Sequence, residues 1–253
     1  MLFKNSRWYD IIQTYPHLWV ETEEIGTIAM PDTGYNGVRE RIPRSEVEGN
    51  AKKFRRHVWL GSLYFAKIGS ILNIDMERMK FCISNKVALT GKLNKIKMTK
   101  SGYLCGPILC PDGDLVTIPI YINSIKANAF VDTGAMMSSV LRARLNKLNL
   151  ERPDCTSPGE HILVQGQTIR LDTTTNVYMC LNKNNSLICV EASIACGKND
   201  KFPSRDTNKI LENIDLDPKL DCVLGNDLLT KLRAYAFDYN SRIMYYSNHY
   251  TTP

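Results

Sequence analysis

A chain of 253 residues, 43% of them hydrophobic, is long enough for one large domain or two small ones with a sizeable core. Pro and Gly are not concentrated anywhere and no low-complexity run occurs, which excludes collagen-like and disordered classes. The net charge of +6 is uneven: residues 1–100 hold 17 Lys and Arg against 10 Asp and Glu, and the rest is close to neutral.

The first region, residues 1–98, opens with the aromatics Trp8, Tyr9, Tyr15 and Trp19. A polar stretch from Pro31 to Arg44 follows, then a helix expected over Ser45–Leu72. The apolar run Val58–Ile74 is interrupted by Lys67 and two glycines, too short and polar for a membrane span. Lys52, Lys53, Arg55 and Arg56 form the densest basic cluster. Such a cluster suits weak contact with nucleic acid or another acidic surface, or simply a solvated face.

From about Ser101 the pattern changes to strands. Val116, Ile118, Ile120 and Ile122 alternate with Thr117, Pro119, Tyr121 and Asn123, the period of a half-buried strand. A second strand, Ala127–Val131, runs into Asp132-Thr133-Gly134-Ala135. Residues 161–171 read as a hairpin with Gly166 near its tip, and Val177–Leu181 and Leu187–Ala195 as two more strands. Residues 197–220 read as a polar insertion. The apolar strand Cys222-Val223-Leu224 ends at Gly225, a helix is expected over Asp227–Arg233, and strands over Ala234–Tyr239 and Arg242–Tyr246 close the chain.

A buried strand that ends in Asp132 delivers a carboxylate to a turn, where Gly134 permits close approach and Ala135 leaves room. Two facing carboxylates can share one proton, so that one acts as general base on a water and the other as general acid. A second Asp-Thr-Gly occurs at Asp32-Thr33-Gly34, but Pro31 precedes it and bulky Tyr35 follows. The apolar-apolar-Gly of Trp59-Leu60-Gly61 comes only 27 residues after Gly34, too soon for a covering hairpin. Asp32 is therefore read as part of a surface turn.

The eight cysteines include no C-x-x-C pair, and several lie in apolar stretches, as free buried thiols do. The N-terminus lacks an apolar h-region, so a reducing, cytoplasmic setting is expected. The four histidines lack ligand spacing; no metal or other cofactor is expected.

The order of Ala127-Asn128-Ala129-Phe130-Val131-Asp132-Thr133-Gly134-Ala135, the hairpin, Val223-Leu224-Gly225 and the Asp227-Leu228-Leu229 helix resembles the retropepsin-like aspartic proteases, the proteases of retroviruses and retrotransposons and related cellular domains. The likeness spans about residues 101–248. It implies a mainly β fold: a closed retropepsin-like barrel at 99–253, one lobe per chain, after an α-containing N-terminal region at 1–98. It implies an aspartic-type endopeptidase with Asp132, Thr133 and Gly134 as catalytic turn. Ala135, Val164, Gly166, Gln167 and Gly225 are the implied substrate contacts, with the 161–171 hairpin as flap. Because this reading leaves one carboxylate per chain, the active species is expected to be a homodimer with one Asp132 from each copy, processing a viral or transposon-type polyprotein in the cytoplasm or a virus-like particle. The alternatives are a non-catalytic dimerising, peptide-binding module, or a nucleic-acid-associated protein acting through the basic N-terminal region. Met136 and Asn226 stand where viral members often carry an acidic residue and an arginine.

Overall fold

The computed structural model describes residues 2–14, 17–34, 38–40, 42, 45, 47–67, 71–105, 108–135, 138–140, 144–150, 160–164, 167–182, 188–194 and 220–248. The fold is mainly β, as expected, and built on two sheets. In chain order the strands of the N-terminal part are β1 (Trp8–Gln13), β2 (Trp19–Glu21), β3 (Thr27–Asp32), β4 (Val38–Arg39), β5 (Arg56–Gly61), β6 (Ile71–Asp75), β7 (Lys80–Ser84) and β8 (Asn94–Lys97). A 3₁₀ turn at Gly49–Lys53 and helix α1 (Ser62–Lys67) lie on either side of β5. There follow β9 (Thr99–Cys105), β10 (Ile108–Ile122), β11 (Ile125–Val131), β12 (Ser139–Val140), β13 (Glu160–Val164), β14 (Gln167–Cys180), β15 (Ile188–Ile194) and β16 (Cys222–Leu224). The short helix α2 (Asn226–Leu229), β17 (Leu232–Asp238) and β18 (Ile243–Asn248) complete the described chain.

The long helix expected over Ser45–Leu72 is not formed. His57, Val58, Trp59 and Leu60 are β-branched, aromatic or bulky, and they form the inner strand β5 between β3 and β4. Among the described residues of that stretch, α-helix is confined to α1 and a 3₁₀ turn stands at Gly49–Lys53, and Ile71 and Leu72 begin β6. At the other end the expected helix from Asp227 is one turn long, because Leu232 already pairs in β17. Among the described residues no helix is long and apolar enough to cross a membrane.

A boundary at residue 98 does not hold. Strand β17 pairs antiparallel with β6, Phe237 opposite Leu72, and β18 pairs with β8, Met244 opposite Ile96. The last strands of the chain thus sit inside the ten-stranded sheet of its first part. One face of β17 sends Tyr235 and Phe237 into the main core with Leu72, Ile74 and Phe81. The opposite face sends Ala234 and Ala236 against Ile71 and Leu89, the two-residue period of a strand buried on both faces. The main core also takes in Val58 and Leu60 from β5 with Ile118, Ala129, Val131 and Leu224, so one hydrophobic interior serves both halves. Cys82 and Cys222 are free thiols and buried, and Cys180 is half-buried.

Candidate active site

Two parallel strand pairs end side by side. In the second half β11 runs parallel to β16, with Val131 opposite Leu224. In the first half β3 runs parallel to β5, with Pro31 opposite Leu60 and Asp32 opposite Gly61. Each pair is flanked by a short antiparallel strand: β12 beside β16, and β4 beside β5. The two Asp-Thr-Gly turns are therefore equivalent ends of equivalent units.

The turns meet face to face. The Thr33 N–H donates to Thr133 Oγ1 at 3.0 Å, and the Thr133 N–H donates to Thr33 Oγ1 at 3.0 Å. Each hydroxyl then donates across to the opposite strand, Thr33 Oγ1 to the Val131 carbonyl at 2.7 Å and Thr133 Oγ1 to the Pro31 carbonyl at 2.6 Å. Both threonines are fully buried. Four bonds cross between segments about a hundred residues apart, and each is reproduced by its counterpart under a pseudo-twofold operation.

This arrangement overturns the reading of Asp32 as a surface turn. Asp32 is 8% exposed, and all of β3 is buried. Pro31 is tolerated because β2 pairs only with Ile28 and Ala29; the missing N–H falls beyond that ladder, while its carbonyl is used by Thr133. Tyr35 lies outside the described residues. The expected homodimer loses its premise in the same step, since the second carboxylate comes from the same chain.

The carboxylates themselves are adjacent. A Cβ added to Gly34 would collide with the Asp132 carboxylate, and one added to Gly134 would collide with that of Asp32. Each aspartate lies over the glycine of the other turn, which is the close approach that only glycine permits. Asp32 Oδ1 accepts from the Gly34 N–H at 2.9 Å; Asp132 Oδ1 accepts from the N–H groups of Gly134 and Ala135 at 2.8 and 3.0 Å. The side chains of Asp32 and Asp132 are within hydrogen-bonding reach of each other. Burial pushes the Asp132 carboxyl above its ordinary range, and the hydrogen bonds from Asp32, Gly134 and Ala135 oppose that rise.

Each turn is braced from behind by the residue after its apolar-Gly step. Ser62 Oγ donates to the Thr33 carbonyl at 2.6 Å, and Asn226 Nδ2 donates to the Thr133 carbonyl at 2.9 Å. Gly225 is buried, with its N–H on Ser138 Oγ at 3.0 Å. Ser138 in turn donates through its N–H and hydroxyl to Asp227 Oδ1 at 2.8 and 2.6 Å. Gly225 is thus part of the support of the turn. Ala135 closes it, accepting from the Asn226 N–H at 2.8 Å. Burial pushes the Asp227 carboxyl up, against the hydrogen bonds from Ser138 and Leu228.

The expected hairpin is present as β13 and β14, with Val164 opposite Gln167; Gly166 lies outside the described residues. In the first half the corresponding stretch between β4 and β5 holds, among the described residues, no strand hairpin, only the 3₁₀ turn at Gly49–Lys53. Of the basic cluster, Lys52, Lys53 and Arg55 are exposed, and Arg56 pairs with Glu24 at 2.9 Å and Glu40 at 3.6 Å. Among the described residues no group of His, Cys, Asp and Glu is arranged to hold a metal ion.

Asp32 and Ser62 are the site residues that sequence reasoning missed. The signal for them was the repetition itself: Asp-Thr-Gly followed later by an apolar-Gly-polar step, Leu60-Gly61-Ser62 in one half and Leu224-Gly225-Asn226 in the other.

Neither a family model nor a curated protein matches the chain. Among solved structures, a crystal structure of a retropepsin-like aspartic protease from Rickettsia conorii aligns at 17% identity over 61% of this chain and 91% of that one. The TM-score of 0.31 is too low to establish a common architecture.

Proposed function

We propose that this chain is an aspartic-type endopeptidase whose two working carboxylates, Asp32 and Asp132, belong to one polypeptide. The observation that carries the reading is the reciprocal pairing of the two Asp-Thr-Gly turns, which sets each carboxylate over the other turn's glycine. Two carboxyl groups so close cannot both ionise, so they share a proton at mildly acidic pH. The ionised member takes a proton from a water held between them while the protonated member donates to the peptide carbonyl, and a tetrahedral diol forms. Transfer of a proton to the amide nitrogen then breaks the C–N bond and frees an amine and a carboxylic acid. Thr33 and Thr133 fix the geometry rather than take part in proton transfer.

The substrate class is an extended peptide segment of a protein or polyprotein, covered by the β13–β14 hairpin through Val164, Gly166 and Gln167, with Ala135 beside the dyad. A flap of this kind excludes water and binds peptide backbone. Processing of a viral or transposon-type polyprotein belongs to the same reading.

Incubation with a random peptide library at pH 4 to 7, with and without a pepstatin-type inhibitor, tests it. Cleavage that peaks at mildly acidic pH, falls toward pH 8 and is blocked by the inhibitor is expected. Absence of cleavage across that range, with the chain folded, contradicts it and favours a peptide-binding module.

A further inference from the structure

The basic excess of the first half is concentrated at its end. Between Glu77 and Asp112 the chain carries seven Lys and Arg and no Asp or Glu. Two of the seven are neutralised, Arg78 by Asp75 at 3.8 Å and Lys80 by Asp10 at 2.6 Å. Lys86, Lys92, Lys95 and Lys97 are exposed, and among the described residues none of them meets a carboxylate. Surface cations elsewhere do: Lys4 and Arg7 share Glu23, Arg56 takes Glu24 and Glu40, and Arg233 takes Glu77.

The four lysines border one face of the ten-stranded sheet. Strands β7 and β8 are separated in it by β6, β17 and β18, so the connection between them crosses over the sheet. Val87, Leu89 and Leu93 of this crossing pack on Ile71, Ala234 and Ala236, with Tyr245 half-buried beside them. Lys86 and Lys92, the neighbours of Val87 and Leu93, are left on the solvent side. On β8, Lys95 stands opposite Tyr245 and Lys97 opposite Ile243, so both project from the same face, while Ile96 between them is buried. The Lys95 ammonium sits 5.6 Å from the centre of the Tyr245 ring, which holds the charge in place. Lys95 and Lys97 are about 7 Å apart along the strand, a step close to that between phosphates of an extended nucleic-acid strand. Lysines on an edge strand also discourage pairing with another strand, but Lys86 and Lys92 lie off the strand, where that role does not reach.

We propose that this lysine face docks single-stranded nucleic acid through its phosphate backbone. A membrane surface or a protein partner would call for apolar side chains to insert or to form a dry centre. The exposed large hydrophobics among the described residues are Ile25, Val38 and Met79, and none belongs to the crossing, to β8 or to β18. A duplex is entered by a helix or ribbon that stands clear of its fold, whereas β8 and β18 lie within the sheet. A row of lysines on a flat edge follows a flexible single strand, with binding that is electrostatic and blind to sequence. The proposal is independent of the peptidase reading.

The test titrates the full-length chain into a fluorescein-labelled oligouridylate of about 20 nucleotides, read by fluorescence anisotropy from about 50 to 300 mM NaCl. Four phosphate contacts predict a slope of log affinity against log salt near −3, at about 0.7 per contact. Lys92→Gln, Lys95→Gln and Lys97→Gln combined should flatten that slope by about 2 and weaken binding at least about tenfold at 100 mM salt. Each single change should lose about twofold to fivefold, which keeps the test standing if the triple variant misfolds by circular dichroism. Lys52→Gln with Lys53→Gln, on the other basic cluster, should bind as the wild type does. Absence of binding at 50 mM salt overturns the proposal, as do lysine variants that bind like the wild type or a Lys52/Lys53 variant that loses as much as the triple. Tighter binding to a duplex of the same length, to polyglutamate or to phosphatidylserine vesicles also overturns it.

Discussion

At the scale of single residues the site rests on two threonines and two glycines. Thr33 Oγ1 accepts the buried Thr133 N–H and donates to the Val131 carbonyl. Thr33→Ala leaves that N–H without a partner, and an orphaned buried donor plus a lost hydroxyl bond costs roughly 2–4 kcal/mol. Thr33→Ser keeps the hydroxyl and should recover most of it; urea unfolding of the two variants measures the difference. Gly34→Ala puts a methyl group into the Asp132 carboxylate, and Gly134→Ala puts one into that of Asp32. Either change forces the pair apart and should lower kcat/KM by at least about a thousandfold, since both proton transfers depend on it. The pH dependence of stability follows from Asp132. Its folded pKa is raised by burial, so the folded chain holds that proton more tightly than the unfolded one. The resulting stability is complete below the unfolded pKa and is lost as pH rises through the folded value. Asp132→Asn, which removes the buried charge, should melt at a higher temperature than wild type at pH 8, with the gap closing at pH 4.

At the scale of elements, each turn is held by a parallel strand whose last residues are apolar-Gly and whose next residue caps the turn's carbonyl. The second half adds the Ser138–Asp227 contact, in which Asp227 Oδ1 accepts from the Ser138 N–H, the Ser138 hydroxyl and the Leu228 N–H. Asp227→Ala removes the only acceptor shown for the two Ser138 donors, while the Leu228 N–H keeps the Gly225 carbonyl at 3.2 Å, and should destabilise the chain by about 3 kcal/mol, which thermal unfolding would register. This part was legible in the sequence: Phe130-Val131-Asp132-Thr133-Gly134-Ala135 and Val223-Leu224-Gly225 lie in regular strands whose alternation shows. The counterpart in the first half was not. Pro31 disguised a buried strand because its tolerance depends on where β2 stops pairing, a tertiary fact. The β5 strand was hidden for a similar reason: Val58, Trp59 and Leu60 form a short apolar run that periodicity cannot tell from a helix, and neighbours on both sides make it a strand. The spacing of Asp32 from Gly61 argued against a lobe only if each lobe needs its own flap; among the described residues between β4 and β5 there is no such hairpin, and the two turns pair all the same.

At the scale of the whole molecule, the two halves are not separable. Strands β17 and β18 lie against β6 and β8, and one core runs through both halves. A chain beginning near residue 98 would expose the edge of β17 and the apolar faces of Tyr235 and Phe237, and it would lack Asp32. It should be insoluble or aggregated, and inactive; a soluble, two-state β protein from that truncation would contradict the shared core. The same pairing makes the proposed active species a single chain, so specific activity should stay constant on dilution across the concentrations where a weak dimer would dissociate. The most direct measurement is peptide cleavage by Asp32→Asn, with folding checked by circular dichroism. Loss of at least about a thousandfold in kcat/KM with the fold retained is predicted, equal in kind to the loss in Asp132→Asn; activity near that of the wild type would contradict the single-chain dyad.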